Sequence, residues 1–304
     1  LDIKQIKTFL LDDIWRVTDD EVSKKRGMFY NAIKIITLSI KEFTERRVVN
    51  KASALTYNTL LAIIPILAIL FAIARGFGFA NLLEDQFRSG LSSQAQAAET
   101  ILTFIDSYLS HAKSGIFIGV GLILLFYTVL LLTYNMERTF NSIWQVKKPR
   151  TLYRKITDYF SMLLLLPLLI LLSSGISIFI STFVKNIQEF ALLAPIVKFL
   201  VRLTPFVLTW GMFTALYIFM PNTKVKFKYA IFPGILAGTA FQAFQYLYIG
   251  TQIWVSRYNA IYGSFAAIPM FLLWTQISWS ICLYGEQLCY VAQNLRNFSF
   301  SKET

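Results

Sequence analysis

Six stretches of this chain run for 21 to 28 residues without a single Asp, Glu, Lys or Arg. They cover 52–74, 114–136, 159–184, 203–223, 229–256 and 258–285. A bilayer core about 30 Å thick is crossed by roughly 20 apolar residues in a helix, so each run is long enough to span it. The alternation of barrel strands is missing, and blocks such as Leu163-Leu164-Leu165-Leu166 favour helices. Hydrophobic residues make up 56% of the chain and charged ones 15%, with a mean hydropathy of +0.55. Soluble domains keep about a quarter of their residues charged. A soluble globular enzyme, a disordered chain and a disulfide scaffold are thereby excluded. The fold class is all-α, a polytopic membrane protein with six transmembrane helices. Arg257 alone parts the last two runs, which predicts a tight helical hairpin there.

Lys and Arg retained on the cytoplasmic side set the orientation. The segments before run 1, between runs 2 and 3, between runs 4 and 5, and after run 6 hold 22 of them together; the opposite segments hold six, with Arg75 at the far end of run 1. Both termini are therefore expected in the cytoplasm. The net charge of +12 follows mostly from this topology, so anionic lipid headgroups are the expected partner and nucleic acid is not.

Residues 1–51 read as a cytoplasmic segment with two amphipathic helices, too charged to supply the core of a cleavable leader. Ile3, Ile6, Leu10 and Ile14 recur at helical spacing, as do Phe29, Ile33, Ile36 and Ile40. Each helix could lie on the membrane surface or pack on the protein's own loops. The six-helix domain occupies 52–295, with an outer helical segment at 76–113 and a cytoplasmic tail at 296–304. In the outer segment Ser92 is placed to cap a helix with an apolar stripe of Ala95, Ala98, Ile101, Leu102, Ile105 and Leu109.

Catalysis finds little support. His111 is the only histidine and stands in the outer segment, so no His/Cys metal site and no convincing Ser-His-Asp triad can be assembled. No phosphate-binding glycine loop or nucleophile elbow is present. Cys282 and Cys289 are seven apart, about 10 Å along a helix and beyond disulfide reach. No metal and no cofactor is expected.

Polar groups at membrane depth are the remaining candidates, because lipid offers them no partner. Asn58 in run 1, Gln242 and Gln245 in run 5, Gln276 in run 6 and Glu286 just beyond it could line a cytoplasm-facing cavity that holds a polar headgroup. The plainer alternative is hydrogen bonding between helices, with ion pairs such as Glu137 or Glu286 to Arg138. Glu137, Arg138 and Asp158 are charged residues at the inner face. Gly234 and Gly238 form a small-xxx-small step that suits close helix contact, within the chain or in a homo-oligomer. Pro65, Pro167 and Pro269 fall inside runs 1, 3 and 6 and are expected to kink those helices and serve as hinges. Pro205 and Pro233 are expected near helix starts, where proline is tolerated.

Three blocks carry a family resemblance. They are Lys51-Ala52-Ser53-Ala54-Leu55-Thr56-Tyr57-Asn58-Thr59-Leu60-Leu61-Ala62-Ile63-Ile64-Pro65, then Asn135-Met136-Glu137-Arg138-Thr139-Phe140-Asn141-Ser142-Ile143-Trp144, and Tyr258-Asn259-Ala260-Ile261-Tyr262-Gly263-Ser264-Phe265-Ala266-Ala267-Ile268-Pro269 leading into Trp274, Gln276 and Gly285-Glu286. In this order they resemble the YihY/BrkB family of bacterial inner-membrane proteins, which usually carries an aromatic where Asn58 stands. The resemblance implies six helices in the inner membrane. It also implies a link to envelope lipid handling and serum resistance; an older ribonuclease label for the family finds no acid/base or metal cluster here. The resulting expectation is a transporter-like protein for a lipid or other amphiphilic envelope precursor, with a non-transporting envelope scaffold as the alternative.

Overall fold

A computed structural model describes residues 24–90, 95–111, 116–147, 150–151, 153–154, 157, 194–256 and 267–300. Among the described residues there are eight α-helices and no strand: α1 Lys24–Glu45, α2 Val48–Gly76, α3 Ala80–Gly90, α4 Ala95–His111, α5 Ile116–Ile143, α6 Ala194–Phe219, α7 Phe227–Ser256 and α8 Ala267–Phe300. The described parts of five of the six uncharged runs fall mainly on α2, α5, α6, α7 and α8. By length and composition α2 can cross a membrane. Run 159–184, with Asp158 and Pro167, lies outside the described residues, as do the stretch Ile3 to Ile14, the cap at Ser92 and the hairpin at Arg257.

The helices overrun the uncharged runs. α5 continues through Glu137 and Arg138 to Ile143, α6 starts at Ala194, ahead of Arg202, and α8 extends to Phe300. A charged side chain ends an apolar run but not a helix, because Lys, Arg and Glu are good helix formers whose long stems reach polar surroundings. The proline assignments change accordingly. Pro205 and Pro233, expected near helix starts, lie inside α6 and α7. Pro269, expected as an interior kink, is the third described residue of α8, and the residues before Ala267 lie outside the described ones. Pro65 lies inside α2 and is buried.

Helix α8 is central. α8 packs on α1, α2, α5, α6 and α7, while α2 also packs on α5, and α6 on α7. The order α5–α2–α8–α7–α6 thus forms an arc around α8. One end of the arc is drawn together by hydrogen bonds: the Asn222 N–H donates to Asn141 Oδ1 (2.7 Å), and Arg150 Nη2 donates to the carbonyls of Phe219 (2.5 Å) and Pro221 (3.4 Å). Lys51 Nζ donates to Ser142 Oγ (2.7 Å), and Gln293 bonds the backbone of Lys224 and Lys226. The segments that the charge count assigns to one side therefore meet at one end, called the basic end below.

Glycines let the helices approach. A Cβ on Gly238 would stand 2.8 Å from Trp210 Cδ1 and 3.2 Å from its backbone nitrogen, and one on Gly234 would stand 3.0 Å from Thr214 Cα. Without a hydrophobic driving force between helices in lipid, such close backbone contact is a main source of association. The Gly234/Gly238 face is used within the chain, against α6.

At the other end α3 and α4 pack on the end of α2, where Leu83, Leu102 and Ile105 close over Leu70, Phe71 and Ala74. The stripe read in the sequence supplies this contact through Ala98, Leu102 and Ile105, all buried. Arg88 joins the two short helices by bonding Glu84 (2.7 Å) and Glu99, and these bonds hold its guanidinium above its ordinary pKa. Arg75 pairs with Asp106.

Candidate functional site

The polar candidates separate into helix connectors and a buried knot at the basic end. Gln242 Nε2 donates to Thr209 Oγ1 (2.6 Å) and to the Pro205 carbonyl (3.2 Å), which ties α7 to the turn that follows the α6 proline. Gln276 Oε1 accepts from Thr56 Oγ1 (3.1 Å), and three residues on, Trp279 Nε1 donates to Thr59 Oγ1 (3.0 Å). These two rungs join α8 to α2. Gln242 and Gln276 thus turn to different neighbours, while Asn58 and Gln245 are half-buried.

The knot is built on residues 285 to 291 of α8, all buried. Glu286 and its neighbour Gln287 are both 0% exposed. Three elements surround Glu286. From α6, Tyr217 donates its hydroxyl to the Cys282 carbonyl (3.0 Å) and lies against Gly285, where a Cβ would meet that hydroxyl and come within 2.8 Å of Ala237 Cβ. From the end of α5, Trp144 Nε1 donates to Glu286 Oε1. From α8 itself, Tyr290 stacks edge-on against the Trp144 ring at 5.4 Å.

Local sequence explains how Trp144 reaches this place. The chain leaves α5 through Gln145 at φ 56°, a left-handed conformation, with the Val146 N–H returning to the Asn141 carbonyl (2.9 Å). That turn closes the helix as a C-cap does, though by a residue other than glycine. Gln145, turned with its oxygen inward, accepts from Tyr290 Oη (2.6 Å) and from both terminal nitrogens of Arg46 (3.2 and 2.5 Å). Arg46 in turn bonds Glu42 of α1.

Glu137 belongs to the same end. It is buried and accepts from Asn141 Nδ2 (3.3 Å), whose oxygen holds Asn222. Arg138 is exposed, so the bonds found for Glu137 and Glu286 run to Asn141 and Trp144 and not to Arg138 as the ion-pair reading expected.

Three atoms in the knot have no hydrogen-bond partner among the described residues: Glu286 Oε2, Gln287 Oε1 and Gln287 Nε2. An unpartnered buried polar group costs about 1–3 kcal/mol, and more if charged. The arrangement can accept or donate bonds to a polar group that reaches it. It holds no general acid/base pair with a histidine, and among the described residues no group of three or more His, Cys, Asp or Glu could hold a metal. Gln287, Trp144, Tyr217 and Tyr290 are the members that sequence reasoning missed. Two consecutive polar residues, Glu286 and Gln287, at the end of an apolar run were the available signal.

Comparison with known proteins identifies the family. A family model described as Virulence factor BrkB matches residues 39–303. A UPF0761 membrane protein of Haemophilus influenzae is 32% identical over 250 residues, covering 82% of this chain and 91% of that protein. Another from Mannheimia succiniciproducens is 33% identical over 258 residues, 84% of this chain and 88% of its own length. A third, from Aggregatibacter aphrophilus, is 29% identical over 263 residues. No solved structure matches.

Proposed function

This chain belongs to the BrkB family of membrane proteins, and from that premise we propose that it is a transporter-like protein of the bacterial inner membrane that handles a lipid or another amphiphilic envelope precursor. Both termini face the cytoplasm in this reading, since the basic segments gather at one end. The observation that carries it is Glu286: a wholly buried carboxyl held on one oxygen by an indole, its other oxygen unpartnered among the described residues, beside a wholly buried Gln287 with neither amide atom bonded among them. A static bundle gains nothing from burying such groups, because apolar residues of the same volume pack there at lower cost. A bundle that must receive a polar headgroup needs them.

In this mechanism the basic end is closed in the present state by Trp144, Tyr217 and the Asn141–Asn222 bond. Displacement of Trp144 frees both oxygens of Glu286 for a headgroup, which Gln287 joins. Asn58, Gln245 and Gln276 supply further polar sites along α2, α7 and α8, and acyl chains remain against the apolar helix faces. Pro65 gives α2 a point of bending. No nucleotide-binding loop is present in the sequence, so the driving force is an ion gradient, a partner or the lipid's own gradient.

The test is lipid identification by native mass spectrometry of gently solubilised protein, paired with lipid transfer between vesicles. The expected result is one enriched lipid class, lost in Glu286→Gln and reduced in Gln245→Leu. A folded Glu286→Gln protein with full lipid retention and transfer overturns the assignment. The scaffold reading draws on a different observation, that Gln242 and Gln276 both bond neighbouring helices. It gains if only bulk lipid is retained, indifferent to both substitutions.

A further inference from the structure

α1 is built inside out. Its face towards the protein carries Lys34, Leu38 and Ser39, all buried, with Ile35 and Phe43 packed on the core and the Phe43 ring edge-on to Tyr284 at 5.4 Å. Its opposite face carries Phe29 at 65% exposure, Ile36 at 50% and Ile40 at 52%, with Ile33 half-buried between them. Residues 29, 33, 36 and 40 fall within about 60° of one another at the helical 100° per residue. A helix lying against water shows the reverse order, charge outward and apolar stripe inward.

Two more observations say what the outer face meets. α1 is joined to α2 by an elbow at Arg46–Arg47, where Arg47 takes φ 49°, and α1 crosses onto α8 at the basic end. The exposed apolar surface then continues along α2 through Val49, Tyr57, Leu61 and Ile64, on a helix long and apolar enough to cross a membrane. Charge is also complementary, since the stretch from Lys24 to Lys51 holds eight Lys and Arg against two Glu. Glu42 is engaged by Arg46 and Glu45 by Lys41.

We propose that α1 is an interfacial helix, seated with its Phe29–Ile33–Ile36–Ile40 face in the acyl–headgroup boundary of the bilayer and its basic residues at the level of the lipid phosphates. Such helices bury their apolar face about 5–10 Å deep and gain from anionic headgroups. The inference stands independently of the transport reading. It gives α1 a second task, because the same helix buttresses the segment of α8 that carries Glu286.

The experiment uses the full chain in nanodiscs of mixed phosphatidylethanolamine and phosphatidylglycerol. Spin labels are attached through Ile36→Cys, Ile40→Cys and, as the control on the flank, Lys41→Cys. All three positions are exposed, so the label displaces no packing, and native Cys282 and Cys289 are buried. The expected result is a ratio of oxygen to nickel-chelate collisions several-fold higher at 36 and 40 than at 41. Equal, water-like ratios at all three overturn the proposal. Dipolar broadening between labels at 36 or 40 also overturns it, because the face then meets a second copy of the chain.

Discussion

Substituting Trp144 by Phe removes one atom pair, the indole N–H, while leaving an aromatic ring to keep the edge-on contact with Tyr290. Glu286 then has neither oxygen bonded, since Oε2 is already without a partner. At 0% exposure, with Trp144 itself at 8%, water cannot take the place of the lost donor at the present packing. Leaving a buried acceptor unsatisfied costs about 1–3 kcal/mol, so Trp144→Phe is expected to destabilise by about 2 kcal/mol. Glu286→Leu alone strands the indole N–H but removes the orphaned Oε2, and its cost is smaller, about 1 kcal/mol. The double variant has no buried polar group left at this contact and should fall near the wild type, giving a coupling energy of about 2 to 3 kcal/mol. The assay is reversible unfolding in mixed micelles by dodecyl sulfate titration, followed by circular dichroism. Additive effects, agreeing within about 0.5 kcal/mol, would refute the buried bond as an energetic contact.

Gly285→Ala should destabilise by roughly 1–3 kcal/mol, because the new methyl meets Tyr217 and Ala237 in a tight crossing; the same titration checks it, with Gly76→Ala, in open space, as the mild comparison. Asn141→Leu releases the Asn222 N–H and is expected to raise amide hydrogen exchange selectively in residues 220–226, read by mass spectrometry. Uniform protection there would count against the closure of the arc at the basic end. Cys282 and Cys289 should resist maleimide in the folded protein and react together on unfolding, since both are buried; fast labelling of either in micelles would mean that the knot opens to water.

The helices were legible because absence of charge over 20 residues is a coarse signal that tolerates errors of several positions. Their ends were not, because Arg202 and Glu137 interrupt hydropathy without interrupting the backbone ladder. That is why Pro205, read near a helix start, lies in the interior of α6. Glu286 was legible as an isolated acid at the end of an apolar run, but its donor was not. Trp144 lies 142 residues away and reaches it only through a left-handed Gln145, a backbone conformation that no residue type there announces. For α1, periodicity identified the Phe29–Ile40 stripe correctly, yet could not say which way it faces; the packed side is the one bearing Lys34 and Ser39.

The central position of α8 also sets a timetable. It is made late, and Thr56 and Thr59 find their interhelical partners on it, 220 residues downstream. At ribosomal rates of about 5–20 residues per second, α2 waits on the order of 10–40 s in the bilayer with those hydroxyls turned back on their own helix, a delay in which an insertase or chaperone has the opportunity to hold it. A nascent chain released before α8 emerges lacks the keystone of its arc and should be a preferred substrate for membrane quality-control proteolysis.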